Sequence, residues 1–370
     1  MEKVNDMEGK SRIVALDYIR VLAIFCVILT HATERVYTLN VEAFYNEVIH
    51  ARLSGLIFFT IGRLGVPLFL FLTGYLMLDR VYNQENTVSF WKKRVGGMCI
   101  TTEIWIIIYY FFAIVFWGRK FSALELMEQL LFVKQANCPH LWYMPTILGL
   151  YIFIPFVANA INIYDMHIFT FPILIAVLYL FVPTSINVIC MTLKQDFLIK
   201  TLDLSFAGGG YGILLIIGWV VKKGGFNCVK NIYYVILAVV GLMLTVGLEI
   251  YSYFHGITYN VWYDSITLLL TSFAIFNLFL KAKITYRLNI VKWLSKTSFA
   301  VYLCHELFVD ILAIYVVRNI FQEIKVLVIW LLAIVLSYGV IFVASSKLSD
   351  RALRFLFYTK IDRVNEKIHI

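Results

Sequence analysis

Apolar residues run along this chain in long blocks separated by short polar intervals. A helix crossing a bilayer core needs about 20 mostly apolar residues. Stretches of that kind lie at 13–33, 53–78, 97–117, 141–159, 167–185, 205–222, 231–254, 261–280, 297–317 and 325–346. The pattern predicts an all-α polytopic membrane protein of about ten transmembrane helices. The least regular blocks are 167–185 and 205–222, blurred by Pro183 and by Gly208, Gly209 and Gly210. Irregular backbone at membrane depth is tolerated only where it is buried in protein or lines a cavity, so this break is a candidate unwound stretch. The first block begins near Ile13 and outruns a signal peptide, which makes it a retained helix. No parallel or inverted repeat is visible, which argues against common secondary-transporter folds.

Composition agrees. Hydrophobic residues make up 61% of the 370 and charged residues 15%, against about 25% charged in a soluble domain. The net charge of +9 does not point to nucleic acid, because the basic residues gather in the short intervals between apolar blocks. Most of the 32 lysines and arginines fall in alternate intervals that share a side with the N-terminus, among them Lys92, Lys93, Arg94, Lys222 and Lys223. The positive-inside rule then places both N- and C-termini in the cytoplasm. The organisation is one transmembrane domain over 1–346 and a basic cytoplasmic tail over 347–370, read as an amphipathic helix on the inner leaflet. The six cysteines show no CxxC or regular spacing. Three fall inside apolar blocks and read as small hydrophobes, only Cys138 and Cys190 could meet outside the membrane, and no metal is expected.

Ionisable groups inside apolar blocks are costly and mark candidate sites. In the first block Asp17 and Arg20 are followed by His31. Eleven helical steps come to within about 20° of three turns, so Arg20 and His31 share a face about 16 Å apart along the axis. Asp17 lies one turn below Arg20, close enough to pair with it. Such a stripe lines a polar interior, although an Asp–Arg anchor with a satisfied histidine accounts for part of it. Imidazole is the side chain best suited to general-base work near neutral pH. In the second block Pro67 opens a kink, Gly74 allows close packing, and Arg63 calls for a carboxylate or an anionic ligand. The following loop holds Trp91, Lys92, Lys93 and Arg94, which serve either topology or a phosphate-rich ligand. His140 opens the fourth block beside the interfacial Trp142 and Tyr143. In the ninth, His305, Glu306 and Asp310 form a stripe that suggests a lined cavity or an interhelical hydrogen bond.

In order along the chain, Leu16–Arg20 with His31, Val66–Phe69 through Thr73–Tyr75, Leu141–Tyr143 with Tyr151–Pro155, and Ser298–Tyr302 with His305 resemble the acyltransferase-3 family of bacterial membrane O-acyltransferases. The likeness covers nearly the whole chain. It is similar to the stand-alone branch that includes the enterobacterial common antigen O-acetyltransferase. Thr73 stands where the family more often has serine. The resemblance implies transfer of an acetyl group from cytoplasmic acetyl-CoA to a hydroxyl of an envelope glycan or lipid-linked sugar, in the bacterial inner membrane. It maps the family's residues onto Arg20 with His31, Lys93 with Arg94, and His305. With the stripes above, the candidate catalytic residues are His31, Arg20, Asp17 and His305, and the candidate donor-binding residues are Arg20, Arg63, Lys93 and Arg94. The alternatives are a transporter or flippase, which would give flux without consuming acetyl-CoA, and a non-catalytic assembly or sensor protein, in which His31→Ala would be silent.

Overall fold

The computed structural model describes residues 13–205, 208–282, 284, 288–315 and 320–358. Among them the chain is all helix, without strands. The first quarter forms α1 (Val14–Val36), α2 (Val41–Asn46), α3 (Ile49–Arg63), α4 (Gly65–Met77) and α5 (Gln84–Phe90). Then come α6 (Gly97–Trp117), α7 (Ala123–Leu130), α8 (Tyr143–Ile161), α9 (Thr170–Leu193) and α10 (Gly209–Lys222). The last third forms α11 (Asn231–Phe254), α12 (Ile266–Lys281), α13 (Asn289–Tyr315), α14 (Gln322–Lys347) and α15 (Asp350–Phe357).

Each predicted apolar stretch falls largely on helix among the described residues, although 261–265 precede the start of α12. Among the described residues eight helical segments are long and apolar enough to cross a membrane, while α10 and α12 are shorter apolar helices. The break at Pro67 falls just upstream, at Leu64, where α3 ends and α4 begins. Pro67 sits in the first turn of α4, where its missing N–H has no helical partner to lose. Pro183, by contrast, interrupts nothing: α9 runs through it. Residues 206 and 207 of the expected unwound stretch lie outside the described residues. Immediately after them Gly208 has φ +80°, as the cap that starts α10.

The segment carrying Lys93 and Arg94 is not a loop. Trp91–Gly96 forms one wide π-helical turn that joins α5 to α6 without a break. Such turns cost hydrogen-bond geometry and occur often at functional sites. The first helix also runs a turn further than its hydropathy suggested, ending at Val36, so Glu34 and Arg35 are helical.

The centre of the bundle is α1, enclosed by α3, α4, α12, α13 and α14. It runs parallel to α13 in a fixed register. Arg20 meets Ser295, and Arg35 meets Asp310, each 275 positions on. Close packing elsewhere depends on missing side chains. A Cβ on Gly74 would collide with the backbone of Leu215, and one on Gly218 with the backbone of Phe71. This lets α4 and α10 touch along their main chains, as small residues do between membrane helices. Outward faces of α9, α11 and α14 present Leu174, Leu178, Val239, Met243, Val335 and Val343 to the surroundings. Apolar side chains therefore cover the outside while charged ones lie in the core, an arrangement suited to lipid as solvent.

Candidate functional site

Polar chemistry gathers at both ends of the α1–α13 pair. At the His31 end, Glu34 Oε2 lies 2.9 Å from His31 Nδ1. Arg63 Nη2 donates to the other Glu34 oxygen at 3.0 Å. A carboxylate accepts and cannot donate, so His31 Nδ1 carries the proton and Nε2 keeps a lone pair. Arg63 is 6% exposed. Its guanidinium lies 4.4 Å from the ring centre of Phe59 and 4.5 Å from that of Trp262, and donates to the Tyr263 hydroxyl at 3.1 Å. The carboxylate that Arg63 called for is Glu34.

From α13, Glu306 Oε2 comes within 3.7 Å of His31 Nδ1 and 3.8 Å of His305 Nε2. Its other oxygen accepts from Arg35 Nη2 at 2.7 Å, and Arg35 Nε pairs with Asp310. Of the two expectations for this stripe, the interhelical contact is the one seen, with Glu306 and Asp310 pairing with Arg35 of α1. The rings of His31, His140 and His305 complete it, with centres 5.0 to 6.0 Å apart. The backbone fixes His305, whose Nδ1 donates to the Tyr302 carbonyl at 2.7 Å. Its Nε2, the Nε2 of His140 and Glu306 Oε2 are buried without a hydrogen-bond partner. Buried polar atoms without partners are costly and mark a place built for something else. The cluster sets three carboxyl groups, Glu34, Glu306 and Asp310, against two guanidiniums, Arg35 and Arg63.

His31, His305 and Glu306 offer donor atoms up to 4.8 Å apart, the residues here closest to a metal triad. A tetrahedral zinc shell brings such ligands to about 3.4 Å of one another. His31 Nδ1 is moreover engaged by Glu34.

The Arg20 end is built differently. Asp17 is 2% exposed. Ser295 donates to its Oδ1 at 2.7 Å, and Arg20 Nη1 donates to Ser295 Oγ at 3.0 Å while standing 4.0 Å from Asp17. Ser295 thus bridges the pair expected from the sequence. Arg20 lines a cavity of about 650 Å³ together with Arg80, Arg94, Lys296, Thr73 and Tyr358. Its apolar interior is lined by Val27, Val66, Ile147, Tyr143 and Tyr302. Val27 stands one helical turn before His31, and Tyr302 one turn before His305. Burial pushes the Tyr358 phenol up, with the Arg94 guanidinium pulling the other way. It is a neutral donor, and its hydroxyl bonds the Lys93 carbonyl at 2.6 Å.

The structure therefore brings Asp17 and Arg20 together at one end, with Arg94 across the cavity, and His31 with His305 at the other. Arg63, expected to meet a carboxylate or the donor, sits with Glu34 at the His31 end. Lys93 is absent from the lining of the cavity that holds Arg20. Sequence reasoning passed over Glu34 and Arg35 because the apolar block stops at Thr33. The signal was their i+3 and i+4 spacing from His31 on the same helix. All six cysteines are free.

The sequence profile of an acyltransferase domain matches residues 13–346 of the chain. No curated protein and no solved structure matches it.

Proposed function

The chain belongs to the acyltransferase-3 family of membrane acyltransferases, and from that premise we propose that it moves an acetyl group from cytoplasmic acetyl-CoA to a hydroxyl of an envelope glycan or lipid-linked sugar. The observation that carries this reading is the cavity between Arg20 and the histidine cluster. Its lining combines the cations Arg20, Arg80, Arg94 and Lys296 with apolar walls, and reaches Val27 and Tyr302, one turn short of His31 and His305. A donor with a charged nucleotide and a long uncharged arm ending in a thioester has this pattern. The axial distance from Arg20 to His31, about 16 Å, suits an extended pantetheine arm.

In this reading Arg20 and Arg94 hold the donor's phosphates, and Asp17 with Ser295 positions Arg20. At the other end the lone pair on His31 Nε2 takes the proton of the acceptor hydroxyl. The alcohol oxygen attacks the thioester carbonyl, and the CoA thiolate leaves. Glu34, held by Arg63, fixes the imidazole tautomer, and the surplus carboxylate of Glu306 and Asp310 compensates the charge that forms on His31. His305, with its free Nε2, is the group placed to relay a proton from the cluster. A thioester is already activated, so holding the reactants together supplies much of the acceleration.

The same proposal puts the Arg20 end and both termini in the cytoplasm of a bacterial inner membrane crossed ten times. It assigns the chain to the stand-alone branch, with the tail after residue 346 outside the bilayer. The test is release of free CoA from acetyl-CoA by purified protein in lipid nanodiscs. Turnover that His31→Ala abolishes is the expected result. Folded protein that neither binds nor consumes acetyl-CoA overturns the reading in favour of a transporter.

A further inference from the structure

The C-terminal helix α15 is not simply laid on the surface. Leu353 and Phe357 are buried, and Trp105 on α6 donates its indole N–H to the Leu356 carbonyl at 2.6 Å. Ser349 caps its start by accepting from Ala352 N, and the chain turns at Tyr358 with φ +51°. The bond from the Tyr358 hydroxyl to the Lys93 carbonyl ties the end of α15 to the π-helical turn. Docking in this way leaves Arg351 and Arg354 on the opposite, exposed face.

That face closes a second cavity, of about 890 Å³, lined by Lys93, Arg94, Arg351, Arg354, Phe355 and Tyr358 among others. Arg94 and Tyr358 also line the first cavity, so the two share a wall. The four cations of the second cavity face one acid, Asp350. Phe355 is 45% exposed beside them and offers an aromatic face. Guanidinium forks on a concave surface suit a phosphate monoester, whose oxygens they bind in pairs. An exposed aromatic ring next to them suits a nucleobase.

We propose that α15 forms the second half of the donor site, in which Arg351 and Arg354, with Lys93 and Arg94, bind the ribose phosphate of CoA while Phe355 stacks on its adenine. This rests on the reading of acetyl-CoA as donor. The arm and diphosphate occupy the first cavity, and the phosphorylated adenosine lies in the second. The protein then distinguishes CoA from dephospho-CoA, which lacks only that phosphate.

The experiment compares acetyl-CoA with acetyl-dephospho-CoA in the nanodisc assay, for the unmodified chain and for Arg351→Ala/Arg354→Ala. The unmodified chain is expected to show a KM about tenfold lower for acetyl-CoA. The double variant loses this preference by raising the KM for acetyl-CoA alone, with kcat unchanged for both donors. Arg351→Lys/Arg354→Lys keeps part of the preference, which separates lost charge from lost folding. A chain that uses both donors equally, or a double variant that keeps the full preference, overturns the inference and leaves the donor reading intact. Arginines that serve only anionic lipid give that second result, together with a KM that changes with the lipid composition of the nanodisc. Protein that binds neither donor overturns the inference and the donor reading together.

Discussion

The two ends of the α1–α13 pair use the same kinds of residue to opposite effect. Around His31, each guanidinium already has its carboxylate: Arg63 has Glu34, and Arg35 has Glu306 and Asp310. Around Arg20, the cations Arg80, Arg94 and Lys296 share a cavity with no acidic residue in its lining. Charges satisfied within the fold give a rigid, preorganised cluster, the condition for chemistry. Cations gathered along the wall of one cavity raise its potential toward an anionic ligand. In the proposed function, one end reacts and the other binds.

Removing His31 gives the sharpest test of that contrast. His31→Ala is expected to lower kcat about 10³-fold, within the range for a lost general base, while acetyl-CoA binding persists. Rate assays beside equilibrium binding in nanodiscs check both halves, and loss of binding would erase the distinction between the ends. Next, Arg35→Ala leaves Glu306 and Asp310 without their cation and is expected to destabilise the bundle by about 3 kcal/mol, read from thermal unfolding in detergent. Arg94→Ala, its counterpart at the Arg20 cavity, breaks no ion pair among the described residues and is expected to leave the melting temperature nearly unchanged. Glu34→Gln keeps the shape but can offer His31 an amide donor in place of a carboxylate. It is expected to cost about 30-fold in kcat with little change in KM. The smallest effect belongs to Arg20→Ala, which is expected to weaken donor binding about tenfold and to spare kcat at saturation. Undiminished binding would remove Arg20 from the donor site.

Much of this was legible before the structure. Hydropathy found every long helix, because a bilayer imposes length and composition on each one separately. The spacing of Arg20 and His31 placed both on one face, and that face does meet α13 at Ser295 and Glu306. Relations between helices were not legible. Nothing local in Arg63 says that its carboxylate is Glu34 rather than a ligand's phosphate. The position of His140 beside His31 and His305 depends on how α8 is entered, through the short turn at Pro139–Trp142. The helical path through Lys93 and Arg94 was hidden because the hydropathy of Gln84–Lys93 is that of a loop. Only the packing of α5 and the π turn reveals it.

The constant offset between α1 and α13 acts as a length standard. Arg20 with Ser295 and Arg35 with Asp310 mark two points on parallel rods, and the distance between the marks is counted in residues. One residue inserted near Val27 would turn everything after it by about 100° and advance it by about 1.5 Å, carrying His31 off Glu306 while Arg20 keeps Ser295. A matching insertion in α13 between Tyr302 and Ser295 would restore the alignment, yet lengthen the gap between the two ends by the same amount. Substitution can therefore explore this pair one position at a time, whereas insertion and deletion must strike both helices at once, and even then they re-measure the reach from one end to the other.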